Sequence, residues 1–241
     1  MTDDTHRTAL LGAAVDEAVP AGLRDEWERH VAREQVLVGR QGIFTTRLRP
    51  FGYEFSFRSP NPEHSARAWT ELQHERATAH VLRATFGRAD LEKAAHGRWL
   101  FIRMPRAHLV GGLPIPARPD RLVIEVADHV HVDSEVLAGI QGLRERGYRI
   151  AIPGFVSRPG QRELLPYADF VKIDVRDLDI EGRPVVELAR SHGALLIAEF
   201  VERRWMLSHS RDLGFDFFQG NLLEQATVLD RSTAPWGSHA G

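Results

Sequence analysis

The chain has 241 residues, 43% hydrophobic and 27% charged, which suits one large folded domain and excludes a disordered chain. Thirty-one basic residues against 33 acidic ones give a net charge of −2, so no positive excess points to nucleic acid. The absence of cysteine excludes a disulfide framework, a zinc ribbon and a thiol nucleophile.

Lysine is nearly missing. Lys93 and Lys172 are the only two, the other basic residues being arginine, so a position that keeps lysine draws attention. The first seven residues lack a basic and then apolar pattern, so they do not read as a secretory signal. No apolar run reaches the roughly 18–20 residues that span a bilayer. A soluble, cytoplasmic protein with no membrane contact is expected.

In chain order, residues 1–34 read as an N-terminal helical segment, with Trp27 and Val31 four apart on a face of mixed charge. A barrel domain is expected over 35–229 and a small, polar tail over 230–241. Strand-like runs fall at 35–44, 51–58, 99–102 and 121–126. Helical spacing of Val136, Leu137, Ile140 and Leu143 follows, capped by Asp133 or Ser134 and ended by Gly147. Helix, glycine and strand then recur, with Pro184 and Gly193 before 194–198, and with 202–213 and Gly214 before 215–218. With the run at 169–175 this makes about eight strands, the α/β pattern of a TIM-like (β/α)8 barrel. An open flavodoxin-like sheet is the alternative.

Function in such barrels gathers at the carboxyl ends of the strands. Those ends carry Glu125, Lys172 and Asp174, Glu199, and Gln219. In 51–58 the alternation puts Phe51, Tyr53, Phe55 and Phe57 under the helices and turns Glu54, Ser56 and Arg58 to the other face. Together these residues form an oxygen-rich site with a lysine and an arginine, suited to a divalent cation and a phosphate ester.

These residues also form a pattern. Gly39-Arg40-Gln41-Gly42-Ile43-Phe44, Gly52-Tyr53-Glu54-Phe55-Ser56-Phe57-Arg58, Glu125, Val171-Lys172-Ile173-Asp174, Ala198-Glu199-Phe200-Val201-Glu202 and Gln219-Gly220 occur in that order. The chain resembles an EAL domain, the bacterial cyclic-di-GMP phosphodiesterase fold, over 35–229. Its opening motifs are similar to those of the divergent branch often joined to a C-terminal HDOD domain, and no such second domain is expected here. The resemblance implies Glu54, Glu125, Glu199 and Asp174 as metal ligands, Arg58 and Gln219 as nucleotide contacts, and Lys172 as the group that positions the attacking water. Glu202 would be a metal, loop-positioning or site-closing group.

Departures from the family pattern matter more. Arg103 stands where active members carry Asn, and Pro153 and Gly154 stand where they carry two Asp. Two negative charges are lost and one positive charge is gained, a shift of about +3 where metal ions would sit. The resemblance therefore implies a degenerate site with Arg103 turned toward Glu54 and Glu125 as their counter-charge. No cofactor is expected, with Mg²⁺ or Mn²⁺ implied only if activity remains. The expected function is a signalling protein, either a cyclic-di-GMP receptor or a scaffold for another signalling protein or for a homodimer. An active metal-dependent phosphodiesterase is the alternative. His129 and His131 read as a solvated loop, and Ser208, His209 and Ser210 form no usable triad.

Overall fold

The computed structural model describes residues 37–58, 70–86, 95–176 and 178–230. The expected N-terminal helix and the tail beyond Asp230 lie outside the described residues. The elements are β1 (Leu37–Thr45), β2 (Pro50–Arg58), α1 (Glu71–Phe86), β3 (Trp99–Met104), α2 (Arg106–Leu109), β4 (Leu122–Val126) and α3 (Ser134–Glu145). They continue with β5 (Arg149–Ile152), α4 (Pro159–Leu164), β6 (Phe170–Asp174), α5 (Leu178–Arg190), β7 (Leu195–Glu199), α6 (Arg204–Asp212), β8 (Phe217–Phe218) and β9 (Thr227–Asp230).

Strands β2 to β8 lie side by side in chain order and in parallel, and β1 pairs antiparallel with both β8 and β2. That double pairing closes an eight-stranded barrel of mixed direction. β9 adds antiparallel to the Leu37–Arg40 end of β1, a strand the sequence pattern did not indicate.

The helix and glycine punctuation explains the second half. Asp133 Oδ1 accepts from Val136 N at 2.9 Å and caps α3, whose Val136, Ile140 and Leu143 are fully buried. Gly147, Gly193 and Gly214 all have positive φ, the left-handed step that ends a helix before the next strand. α5 begins at Leu178, ahead of the expected start at Pro184, breaks at Gly182 (φ 65) and restarts at Pro184. α1 was not anticipated.

Alternation sorts the core into two clusters. Tyr53, Phe55, Ile102, Ile124, Ile150 and Leu196 join the cluster that includes the helix residues. Ile43, Phe101, Val123, Ala151, Phe170, Ile197 and Phe217, from seven different strands, form a second cluster inside the barrel. Phe51 corrects one expectation, because it packs on this inner cluster and its ring centroid lies 4.2 Å from that of Phe217. The register explains why. Ile43 faces Gly52 and Phe44 faces Pro50, so Phe51 is the extra residue of a bulge and leaves the alternation. Gly52 accommodates the crowding, since a Cβ there would lie 2.8 Å from the Trp99 carbonyl oxygen.

Candidate functional site

Two residues further along each strand, side chains point the same way one layer higher. The apolar floor is therefore followed by a polar layer: Arg103 after Phe101, Glu125 after Val123, Lys172 after Phe170, Glu199 after Ile197 and Gln219 after Phe217. Gln41, on the antiparallel β1, and Glu54 on β2 complete it. On β5 the same position is Pro153, which brings no polar side chain.

Lys172 holds this layer together. Its Nζ lies 2.7 Å from Glu54 Oε2, 2.9 Å from Glu125 Oε1 and 3.0 Å from Glu199 Oε1. The lysine is fully buried, as is Glu125. Burial alone would lower the Lys172 ammonium, but Glu125, Glu199 and Glu54 outweigh it and raise its pKa.

Arg103 turns toward the same carboxylates at longer range. Its Nε stands 3.5 Å from Glu125 Oε2 and 3.8 Å from Glu54 Oε1, while Nη1 donates to Asp128 Oδ2 at 3.0 Å. Burial opposes its charge, and Glu54, Glu125 and Asp128 outweigh that effect and raise its pKa.

Three glutamates face two cations, so one carboxylate is in excess. Burial would raise Glu54, but Lys172, Arg103 and the hydrogen bonds from Lys172 and Gln219 bring it down to about 2. Glu125 is the odd one. Burial, with the charge of Glu54 beside it, pushes it up to about 7 against the pull of Lys172.

The remaining expected residues take different places. Gln219 Nε2 donates to Glu54 Oε2 at 2.7 Å and to Gln41 Oε1 at 3.2 Å. Asp174 does not join the Lys172 cluster, because it sits one layer further out and binds Arg176 through Nη2 at 2.7 Å and Nε at 3.0 Å. Gly154 offers no side chain but its N–H donates to Glu199 Oε2 at 3.2 Å. Its loop is pinned by Gln161, whose Oε1 accepts from Val156 N and Arg158 N and whose Nε2 donates to Gly154 O. Arg58 ends β2, and its side chain lies outside the described ones. Glu202 is exposed beyond β7.

Sequence reasoning missed Asp128, Gln161 and His74. His129 and His131 are exposed in the loop after β4, as expected, but His129 stacks on His74 of α1 with ring centroids 3.8 Å apart. Burial lowers the pKa of both stacked histidines, and the charge of His129 lowers His74 further. No spacing signal links α1 to that loop.

Above the polar layer opens a cleft of about 700 Å³, lined by Glu54, Arg103, His74, His129, Phe200 and Gln219 among others. A second cavity of about 320 Å³ lies between the loops after β4 and β5.

The arrangement does not fit a divalent ion. Mg²⁺ needs oxygens in octahedral array at about 2.0–2.1 Å, yet the point where Glu54, Glu125 and Glu199 converge is filled by an ammonium. Among the described residues no group of three or more His, Cys, Asp or Glu is placed to hold a metal ion. Also among them, no helix is long and apolar enough to cross a membrane.

Residues 108–226 match the EAL domain family, and the closed barrel agrees with that match. The chain is 27% identical over 200 residues to cyclic di-GMP phosphodiesterase CdgJ of Vibrio cholerae, covering 80% of this chain and 44% of that protein. It spans about half the length of the curated relatives it matches. The structure of PaMucR phosphodiesterase in complex with c-di-GMP superposes with a TM-score of 0.64 at 19% identity, covering 85% of this chain and 95% of that one. Bacillus subtilis YkuI, with an EAL domain in complex with substrate c-di-GMP and calcium, gives 0.59 at 21% identity, covering 81% and 56%. At these identities the two structures establish the fold.

Proposed function

We propose that this barrel is a cyclic-di-GMP receptor that does not hydrolyse its ligand, a degenerate EAL domain of the HDOD-associated branch. The observation that carries the reading is the Lys172 ammonium, within 3.0 Å of Glu54, Glu125 and Glu199 at once. Carboxylates committed to an internal cation are not free to hold the metal ions that activate water. Lys172 itself makes three carboxylate contacts that raise its pKa and favour the ammonium over the neutral form a base requires. The residues that would complete a metal site are Arg103, Pro153 and Gly154, none of which supplies an oxygen ligand from its side chain.

The cleft over this layer has a volume in the range of small-molecule sites, roughly 300–1,000 Å³. Gln219 lies at its floor and Arg58 ends a bordering strand, the two residues the family resemblance makes nucleotide contacts. On this reading no cofactor is needed, and the protein acts in the cytoplasm through its own surface.

A scaffold for a partner protein, or for a second copy of the chain, is the second reading. It is favoured by the loop from Pro153 to Arg158, fastened by Gln161 rather than left to answer a ligand. Calorimetric titration of cyclic-di-GMP in EDTA and in Mn²⁺, with chromatography of the mixtures, separates the readings. A receptor binds in both buffers and yields no linear product. Neither binding nor product supports the scaffold. Mn²⁺-dependent product that disappears in Glu54→Ala overturns both in favour of an active phosphodiesterase.

A further inference from the structure

Phe200 directly follows Glu199 at the end of β7 and has φ 57, a conformation that a bulky L-residue rarely adopts. The backbone on either side is fixed. Val175 N donates to the Glu199 carbonyl at 3.2 Å, and Val201 N donates to the Gln219 carbonyl at 3.0 Å. The strained residue is not a buried one, since Phe200 is 46% exposed and its side chain borders the cleft. A local strain of this kind persists where surrounding structure enforces it, and such positions concentrate at ligand sites.

The ring is also backed. The Arg176 guanidinium lies over it, 3.9 Å from the centroid. Asp174 holds that guanidinium in plane through the paired contacts of its two carboxylate oxygens. Phe200 lines the cleft, and Arg176 is not among the residues that line it. The result is a three-part stack in which a carboxylate fixes a guanidinium and the guanidinium supports a phenyl ring that borders the cleft. Asp174, expected as a metal ligand, serves here to build this wall.

We infer that Phe200 is a stacking platform for one purine base of the bound nucleotide. The inference rests on the receptor reading and names a ligand contact in the same cleft. A flat, rigid, preorganised aromatic face suits a flat ligand, and a purine covers more of it than a pyrimidine does. Base stacking on an aromatic side chain is sequence-tolerant and strong enough to be read in affinity.

The test titrates wild type, Phe200→Gly and Phe200→Tyr with cyclic-di-GMP by calorimetry and follows thermal unfolding of each. Glycine adopts φ 57 without strain, so Phe200→Gly is expected to melt no lower than wild type while its affinity falls about tenfold or more. Phe200→Tyr, which keeps the ring, is expected to bind within about twofold of wild type. Equal affinity in Phe200→Gly, or an equal loss in Phe200→Tyr, overturns the platform and leaves the receptor reading intact. Absence of binding by wild type overturns both.

Discussion

Lys172 Nζ and Glu125 Oε1 lie 2.9 Å apart, and neither side chain exposes any surface to solvent. Two further carboxylates and one guanidinium share this pair, so the polar layer of the barrel is a nearly self-neutralising network. Its members depend on one another.

Removing the ammonium leaves three carboxylates with only Arg103 to answer them. Breaking a buried ion pair from one side costs about 3–5 kcal/mol, so Lys172→Met should lose about that much in urea unfolding. Adding Glu125→Gln to it should recover part of the loss, because one of the stranded charges is then gone. A Lys172→Met protein as stable as wild type would show that the network contributes nothing.

Stability should also depend on pH in two opposite windows. Glu125 is held up at about 7 in the folded chain against an ordinary 4.5, so the folded state binds the extra proton. Its contribution is therefore full below pH 4.5 and is lost as pH rises to about 7, by on the order of 1–3 kcal/mol. Glu54 is held down at about 2, so its contribution is present above pH 4.5 and is lost as pH falls toward 2. Unfolding free energies measured between pH 4.5 and 8 should fall with pH in wild type and be flatter in Glu125→Gln. An unchanged slope in that variant excludes Glu125 as the source.

The Gln161 side chain fastens the loop after β5 with bonds to Val156, Arg158 and Gly154. Each hydrogen bond contributes roughly 0.5–1.5 kcal/mol, so Gln161→Ala, which removes these three, should destabilise by about 1.5–4.5 kcal/mol. Hydrogen exchange at Val156 and Arg158, whose N–H groups donate to Gln161, should speed up selectively. Uniform exchange across the barrel would mean that Gln161 acts on the whole fold instead.

Much of this arrangement was legible in the sequence. Glycines after each helix marked the repeat, alternation placed Glu54 on an inner face, and the carboxyl ends of the strands picked out Glu125, Lys172, Glu199 and Gln219. Their convergence depends on closing the sheet, which no local pattern specifies, so the central place of Lys172 emerged only in the fold. The sequence pattern made Arg103 the counter-charge, yet Lys172 lies nearer to all three glutamates. Asp174 shares the face of Lys172 but stands two residues on, about 6.6 Å along the strand, and so meets Arg176. Phe51 escaped the alternation through a bulge, and His74 reaches the cleft from a helix whose sequence gave no sign of it.

Restoring the family residues should reverse the charge balance. Arg103→Asn with Pro153→Asp and Gly154→Asp supplies two carboxylates and removes a cation, and Asp is among the residues that tolerate the φ of 50 at position 154. This triple variant should bind Mn²⁺ at least tenfold more tightly than wild type by calorimetry. Equal affinity would mean that Lys172 alone keeps the carboxylates closed to metal.

The most direct measurement is a Mn²⁺ titration of the wild-type protein followed by electron paramagnetic resonance of the free ion. With the Lys172 ammonium seated among Glu54, Glu125 and Glu199, no stoichiometric Mn²⁺ binding is predicted at micromolar ion. Uptake of one or two ions per chain that vanishes in Glu54→Gln and Glu199→Gln would contradict the account.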